Sequence, residues 1–300
     1  MNYCKVIAVQ QSLHLWIKGA RPKTLPAAVA PVLVGSACAS VDVSLTQSWG
    51  NSFLALIVSL ALQVAVNFAN DYSDGVRGTD SDRVGPMRLV GSGAKKPSSV
   101  KRAAFVAFGV AAVFGLWLAV LTSWWLLVVG VACIAAGWFY TGGSKPYGYY
   151  GFGELFVFVF FGVVATTGTT FVVIQSVSAT SIVASIAVGC LACALLVINN
   201  LRDIPGDSRA GKKTLAVRLG DKQTRRMYYS LLATTGVAIL QMSVDKPTVL
   251  IGLLGLIVAV PAIRKVAQHA VGQELISVLG ATGRTQMLTA VTLSVGLVLA

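Results

Sequence analysis

The segment "FLALIVSLALQVAVNFANDYSD", residues 53–74, passes from an apolar run directly into amides and carboxylates. The apolar part is long enough for a membrane helix, because about 20 residues at 1.5 Å each cross the roughly 30 Å hydrocarbon core. The polar part places Asn67, Asp71 and Asp74 at the end of that helix. An aspartate at membrane depth costs roughly 3 kcal/mol and normally marks a functional site. This segment therefore predicts a membrane helix that ends in a polar site.

The composition of the whole chain is that of a polytopic membrane protein. Of its 300 residues 55% are hydrophobic and only 12% charged, and the mean hydropathy is +0.75. The 24 Lys and Arg against 11 Asp and Glu indicate cytoplasmic loops rather than a nucleic-acid partner, because basic residues collect on the cytoplasmic side of membrane proteins. The five cysteines are scattered, and most lie in apolar runs, so no disulfide framework is expected.

Nine apolar stretches are predicted to be membrane helices arranged around a central cavity, which gives an all-α fold. They cover residues 25–41, 52–70, 103–121, 124–140, 152–175, 181–199, 227–243, 247–263 and 285–300. With a cytoplasmic N-terminus, this arrangement places 23 of the 24 basic residues on the cytoplasmic side and only Lys246 outside. We therefore expect a cytoplasmic basic arm at 1–24 and one domain at 25–300 in the cell membrane, with the C-terminus outside.

A second segment repeats the pattern four helices later. "INNLRDIPGD" (198–207) follows the sixth apolar stretch, as the first polar segment follows the second. Asn199 and Asp203 are four residues apart, as are Asn67 and Asp71, so each pair is predicted to share one helix face. These two polar faces are expected to meet across the cavity.

The ends of the two polar faces depend on how far the helices continue. Asp74 and Asp207 extend the faces for as long as each helix lasts. Pro205 and Gly206 are expected to end the second helix. Two long cytoplasmic loops are predicted to follow, at 71–102 and 200–226.

The residue types of the two faces favour one kind of ligand. Carboxylate and amide oxygens suit hard cations, and Mg²⁺ typically takes one or two carboxylates together with substrate phosphates. Many Lys and Arg residues surround the acids and can hold the remaining phosphate oxygens. No ATP-binding loop or zinc motif is present in the sequence. A long isoprenoid diphosphate, with its tail in an apolar cavity, fits this pattern.

Several segments resemble a known family. "NDYSD" (70–74) and "DIPGD" (203–207) resemble the two aspartate-rich motifs of the UbiA superfamily of intramembrane prenyltransferases, whose fold the nine helices match. The 1,4-dihydroxy-2-naphthoate polyprenyltransferase branch is indicated by "ARPKTLPAAVAPVLVG" (20–35), "DRVGPMRLVGSG" (82–93), "YTGGSKPYGYYGFGELFVFVFFG" (140–162) and "GKKTLAVRLG" (211–220). The third aspartate of the broad family pattern is Gly78 here, followed by Asp80, whose role as a ligand, like that of Asp82, is left open.

The resemblance implies a reaction and a set of residues. The reaction is Mg²⁺-dependent transfer of a polyprenyl group from polyprenyl diphosphate to 1,4-dihydroxy-2-naphthoate, with loss of CO₂ and diphosphate, giving demethylmenaquinone for menaquinone biosynthesis. Two ions are implied, one held by Asn67, Asp71 and Asp74, the other by Asn199, Asp203 and Asp207. Further implied site residues are Asn70, Tyr72, Arg83, Arg88, Tyr140, Lys145 and Lys212. For the bases a plain positive-inside role remains an alternative, and the tyrosines are also typical of a membrane interface.

Two other functions stay open. One is a prenyltransferase for another aromatic acceptor, such as 4-hydroxybenzoate. The other is a cation-coupled transporter, whose acids should lie near the membrane midplane on broken helices.

Glu154, at the start of the fifth stretch, is interpreted as a cap for the helix dipole.

Overall fold

The computed structural model describes residues 12–40, 45–79, 85 and 87–300, and within these ranges it contains helices and no strand. Residues 12–20 are helical and precede nine helical segments. These are α1 (Pro26–Ala39), α2 (Leu45–Val76), α3 (Pro97–Leu121), α4 (Trp125–Phe139), α5 (Gly153–Ile174), α6 (Ala179–Arg209), α7 (Leu215–Ser243), α8 (Pro247–Ile257 and Val260–Ala267) and α9 (Glu274–Val298). The prediction of an all-α protein is confirmed.

Length and composition identify the strongest membrane spans. Within the described ranges four helices are long and apolar enough to cross a membrane, namely α2 from Trp49 onward, α3, α5 and α6. The two halves of α8, bent by 47°, make a fifth if counted as one span, and α1 and α4 are shorter apolar helices. The chain is therefore a multi-pass membrane protein, and the order of its segments agrees with nine crossings.

Several predicted helix ends were wrong, because the helices continue beyond their apolar parts. Helix α2 reaches Val76, so the loop does not begin at residue 71. Helix α6 passes through Pro205 and ends at Arg209, and only 210–214 separate it from α7. Proline removes one backbone donor and disfavours a helix interior, but the backbone is helical on both sides of Pro205. The prediction that Pro205 and Gly206 end the second helix is thus corrected, and Asp207 stays on the face of Asp203.

Helix α6 forms the centre of the bundle. In its most apolar part 78% of the residues are buried, compared with 39% in α2. It packs against α7, α8 and α9 through a cluster that includes Leu191, Ile198, Tyr228, Val266 and Leu275. Helix α5 crosses α6 closely at Gly162 and Gly189, where a side chain on either glycine would collide with the facing helix. The centre of the bundle therefore fixes the position of the polar end of α6.

The end of α2 is tied to the segment between α4 and α5. The Arg77 guanidinium donates short hydrogen bonds to the carbonyl oxygens of Thr141 and Gly143. The ring of Tyr149, which lies in the 3-10 turn Tyr147–Tyr150, is 5.3 Å from the same guanidinium. These contacts hold the α4–α5 segment over the polar end of α2.

Candidate active site

A cavity of about 1010 Å³ runs through the bundle beside α2. Its α2 wall extends from Ala55 to Asp74, which is about 28 Å at 1.5 Å per residue. One end is polar, and the rest is lined mainly by apolar side chains, among them Val58, Leu118, Leu126, Val129, Val164 and Val172. A cavity of this shape suits a ligand with a polar head and a long apolar tail.

The cavity face of α2 differs by one residue from the predicted face. Asn67, Asn70 and Asp74 line the cavity, at spacings of three and four that place them on one side of a helix. Asn70 Oδ1 accepts a hydrogen bond of 2.8 Å from the Thr141 hydroxyl. The Asn67 amide donates to Ala20 O at 2.9 Å and therefore also holds the segment before α1.

Asp71 faces away from the cavity. Its side chain is fully buried, and its two carboxylate oxygens accept hydrogen bonds from the backbone N–H groups of Leu89 and Val90, at 2.8 and 2.9 Å. The structure therefore does not bring Asp71 to the other predicted metal ligands. Its geometry is that of an anchor for the segment that carries Arg88 into the cavity wall.

Asp74 lies at the centre of a charged cluster. Lys212 Nζ is 3.0 Å from its Oδ1, Arg88 Nη2 is 4.0 Å from its Oδ2, and the Tyr149 hydroxyl donates to Oδ1 at 2.6 Å. Burial, and then the Asp74 charge, raises the pKa of Tyr149, so its phenol stays protonated as the donor. Lys212 Nζ also lies 3.9 Å from Asp207 and thus links the two aspartate motifs.

The second polar face is on α6 and agrees with the prediction. Asn199, Asp203 and Asp207 all line the cavity. The Arg202 guanidinium donates to both Asp203 oxygens, at 2.7 and 2.8 Å, and to Asn199 Oδ1 at 2.9 Å. Its third nitrogen, Nη1, is buried without a hydrogen-bond partner among the residues that the structure describes. The sequence placed Arg202 only among the bases around the acids, without a specific site assignment.

The other predicted residues are distributed unevenly. Arg88 and Tyr140 line the cavity, whereas Tyr72 stacks on Trp138 outside it and Lys145 is exposed to solvent. Arg83, Asp80 and Asp82 lie outside the described residues.

An aromatic row lines the wall between the polar and apolar parts. The ring centroids of Tyr140 and Tyr147 are 5.5 Å apart. Tyr147 stacks on Phe156 at 4.0 Å, and Phe156 stacks on Phe160 at 5.9 Å. All four rings line the cavity. Only Tyr140 was predicted, because the contacts of Tyr147, in the turn before α5, with Tyr140 and Phe156 have no signal in sequence spacing.

Glu154 lies in the first turn of α5, where an acid can interact with the helix dipole, as the sequence was interpreted. The structure adds a contact that the sequence did not predict. Only 4% of the residue is exposed, and its Oε1 accepts a hydrogen bond of 2.8 Å from Asn200 Nδ2. Asn200 lines the cavity next to Asn199.

The oxygen-rich donor set fits a Mg²⁺ ion that also binds a phosphate ligand better than a metal ion bound by protein side chains alone. Among the described residues no three His, Cys, Asp or Glu side chains form a metal-binding group. The α2 face instead offers one carboxylate with two amides, and the α6 face offers two carboxylates with one amide. Mg²⁺ commonly uses one or two carboxylates and completes its shell with water and phosphate oxygens. The residues present therefore fit a magnesium ion that binds together with a phosphate ligand.

Comparisons with known proteins agree with this geometry. The chain matches the model of the UbiA prenyltransferase family over residues 28–277. It is 49% identical to the 1,4-dihydroxy-2-naphthoate octaprenyltransferase of Mycobacterium tuberculosis, over 94% of this chain and 96% of that protein.

Two solved structures share the fold. One is a UbiA homolog from Aeropyrum pernix K1, with a TM-score of 0.72, 13% identity, and coverage of 92% of this chain and 98% of that one. The other is a UbiA homolog from Archaeoglobus fulgidus bound to DMAPP and Mg²⁺, with a TM-score of 0.62, 16% identity, and coverage of 95% and 99%. The family model covers most of the chain and confirms the resemblance found in its motifs: this protein belongs to the UbiA prenyltransferase family.

Proposed function

We propose that this protein is a Mg²⁺-dependent 1,4-dihydroxy-2-naphthoate polyprenyltransferase of menaquinone biosynthesis. The observation that carries the proposal is the Lys212 ammonium held between Asp74 of one motif and Asp207 of the other, at the head of a long apolar cavity. A diphosphate with its metal needs carboxylates and cations together at one place, and a polyprenyl tail needs the apolar remainder. The curated relative from Mycobacterium tuberculosis carries the corresponding name.

We assign the metal ligands from the cavity faces. Asn70 and Asp74 would hold one ion, and Asn199, Asp203 and Asp207 the other, with Asn67 behind the first pair. Asp71 is reassigned from ligand to positioning residue, because it does not line the cavity and its carboxylate is turned to the backbone N–H groups of Leu89 and Val90. A bound magnesium ion would act as a Lewis acid that neutralises the leaving diphosphate.

The cations of the cavity complete the leaving-group site. Lys212, Arg88 and Arg202 line the polar end, where they can bind phosphate oxygens and stabilise charge as it develops there. Arg202 Nη1 has a buried donor available for this contact. Lys145 is exposed in the structure, so its implied contact remains a weaker proposal.

The remaining chemistry takes place against the aromatic wall. When the allylic C–O bond breaks, the rings of Tyr140 and Phe156 can stabilise the prenyl cation through their faces and exclude water. The ring carbon that bears the carboxylate then forms the new C–C bond, and CO₂ leaves with cleavage of the old one. The exchange leaves the ring at the quinol level, so the first product is the reduced form of demethylmenaquinone.

The arrangement in the membrane follows from the charge distribution. We propose that residues 25–300 form one domain in the cell membrane, with the basic arm at 1–24 and the polar mouth in the cytoplasm, and that surrounding lipid admits the prenyl tail. No nucleic acid is involved.

Product formation by purified protein tests the function. In detergent or nanodiscs with Mg²⁺ and a prenyl diphosphate, we expect 1,4-dihydroxy-2-naphthoate to give a prenylated product and CO₂ in equal amounts, and 4-hydroxybenzoate to give little product. Asp74→Asn should abolish turnover, while Asp245→Asn, at an exposed site, should not. Preference for 4-hydroxybenzoate, or metal-coupled ion flux without any product, would replace the proposal.

A further inference from the structure

Glu154 is a buried acid for which the proposed chemistry provides no role. It lies at the start of α5 with 4% exposure, and within the described part of the chain its Oε2 has no hydrogen-bond partner. Burying a carboxylate without full hydrogen bonding is unfavourable, and such groups are concentrated at functional sites. Its single side-chain bond, from Asn200 Nδ2 at 2.8 Å, indicates what the acid does.

The Glu154 carboxylate fixes the orientation of the Asn200 amide. In this bond the Asn200 Nδ2 group donates to Glu154 Oε1, and an amide has one end that donates and one end that accepts. The bond to Glu154 therefore holds the Asn200 NH₂ group toward α5. Because Asn200 also lines the cavity, its Oδ1 is the atom left to accept a hydrogen bond from a ligand.

The surroundings of Asn200 favour an aromatic ligand. Tyr140 and Tyr147 line the same part of the cavity, and the Tyr140 hydroxyl packs so near Gly153 that a side chain there would meet it at 3.4 Å. On α6, the neighbouring Asn199 shares the proposed metal face with Asp203 and Asp207, and its Oδ1 accepts from Arg202. Asn200 thus lies between the metal face and the aromatic wall.

We propose that Glu154 is a positioning residue that orients Asn200 Oδ1 to accept a hydrogen bond from a ring hydroxyl of the aromatic acceptor. The inference rests on the proposed function and adds a place for the acceptor. A buried amide oxygen selects a hydroxyl over a methyl ether at the same ring position, because only the hydroxyl donates a hydrogen bond. Glu154 keeps this selection strict by preventing the amide from turning over.

Acceptor binding tests the proposal without turnover. The fluorescence of 1,4-dihydroxy-2-naphthoate and of its two mono-methyl ethers gives Kd values for wild type and Glu154→Gln, with chelator present and no prenyl diphosphate. We expect wild type to bind the dihydroxy compound about tenfold more tightly than one of the ethers, as a net hydrogen bond provides. In Glu154→Gln the side chain can donate as well as accept, so Asn200 can turn over, and the ratio should fall to about threefold or less.

Two further variants keep the result interpretable. Asn200→Ala should lose the same selectivity, and adding Glu154→Gln to it should change the ratio no further, because both act through one amide. Glu274→Gln, at an exposed glutamate, is the matched control and should leave the ratio at the wild-type value. The steric effect of the methyl group cancels between wild type and Glu154→Gln, because glutamate and glutamine have nearly the same volume.

The outcomes separate this inference from the proposed function. An unchanged ratio in Glu154→Gln or in Asn200→Ala overturns the role of the pair, even if wild type forms product. Selective binding that Glu154→Gln relaxes supports the pair, even if the wild-type protein forms no prenylated product.

Discussion

Replacing Lys212 with methionine removes the charge that links the two aspartate motifs while keeping most of the side-chain volume. The ammonium is 3.0 Å from Asp74 and 3.9 Å from Asp207, and its side chain is 9% exposed, so solvent screens it little. A charge-assisted contact of this kind to the diphosphate is worth about 1.5 to 3 kcal/mol. We therefore expect kcat/KM for the prenyl diphosphate to fall roughly ten- to a hundredfold.

The assay is a steady-state measurement in which each substrate is varied separately, with a long and a short prenyl diphosphate. The loss should persist with the short tail, because the missing contact is to the headgroup, and Lys212→Arg should recover part of it. Lys246→Ala, beyond the far end of α7, is the control. Wild-type kcat/KM in Lys212→Met, or a defect confined to the long tail, would refute the headgroup role.

Three further results are expected. Asp71→Asn should lower the melting temperature without weakening Mn²⁺ binding, because an amide cannot accept both N–H bonds from Leu89 and Val90. Asp74→Asn should instead weaken Mn²⁺ binding. The opposite pattern would return Asp71 to the metal site. Gly148→Ala should reduce kcat/KM, since a Cβ there would collide with the Tyr140 ring. Gly109→Ala, with open space around it and outside the cavity lining, should not, and equal activities would remove Tyr140 from the reaction. A cysteine at exposed Ser176 should react with an impermeant reagent from outside, and one at Ser98 only after permeabilisation, and reversed labelling would invert the orientation.

The sequence predicted the helices well where their signal is hydrophobic length. The helix order, the polar end of α2 and the face formed by Asn199, Asp203 and Asp207 all have that signal or a regular spacing. Helix ends were predicted too short, because a hydropathy pattern stops at the membrane surface whereas backbone hydrogen bonds continue beyond it, as in α6 through Pro205.

Sequence spacing could not decide whether Asn70 or Asp71 faces the cavity. Spacings of three and four residues both lie on one helix face, so Asn67 can share its face with either neighbour. The decision comes from tertiary contacts, since the backbone of Leu89 and Val90 captures Asp71 and leaves Asn70 toward the cavity. The contact of Glu154 was missed for the same reason, because its partner Asn200 is on another helix.

Helices α2 and α6 continue without a break to Val76 and Arg209, so the proposed metal ligands lie on helices rather than on loops. An inserted residue rotates everything beyond it on a helix by about 100°. One extra residue between Asn67 and Asp74 would therefore turn the carboxylate out of the cavity, whereas one in the turn at 210–214 would leave both faces in register. In functional members of the family, insertions and deletions should therefore occur in the connections between helices and not within these two helices.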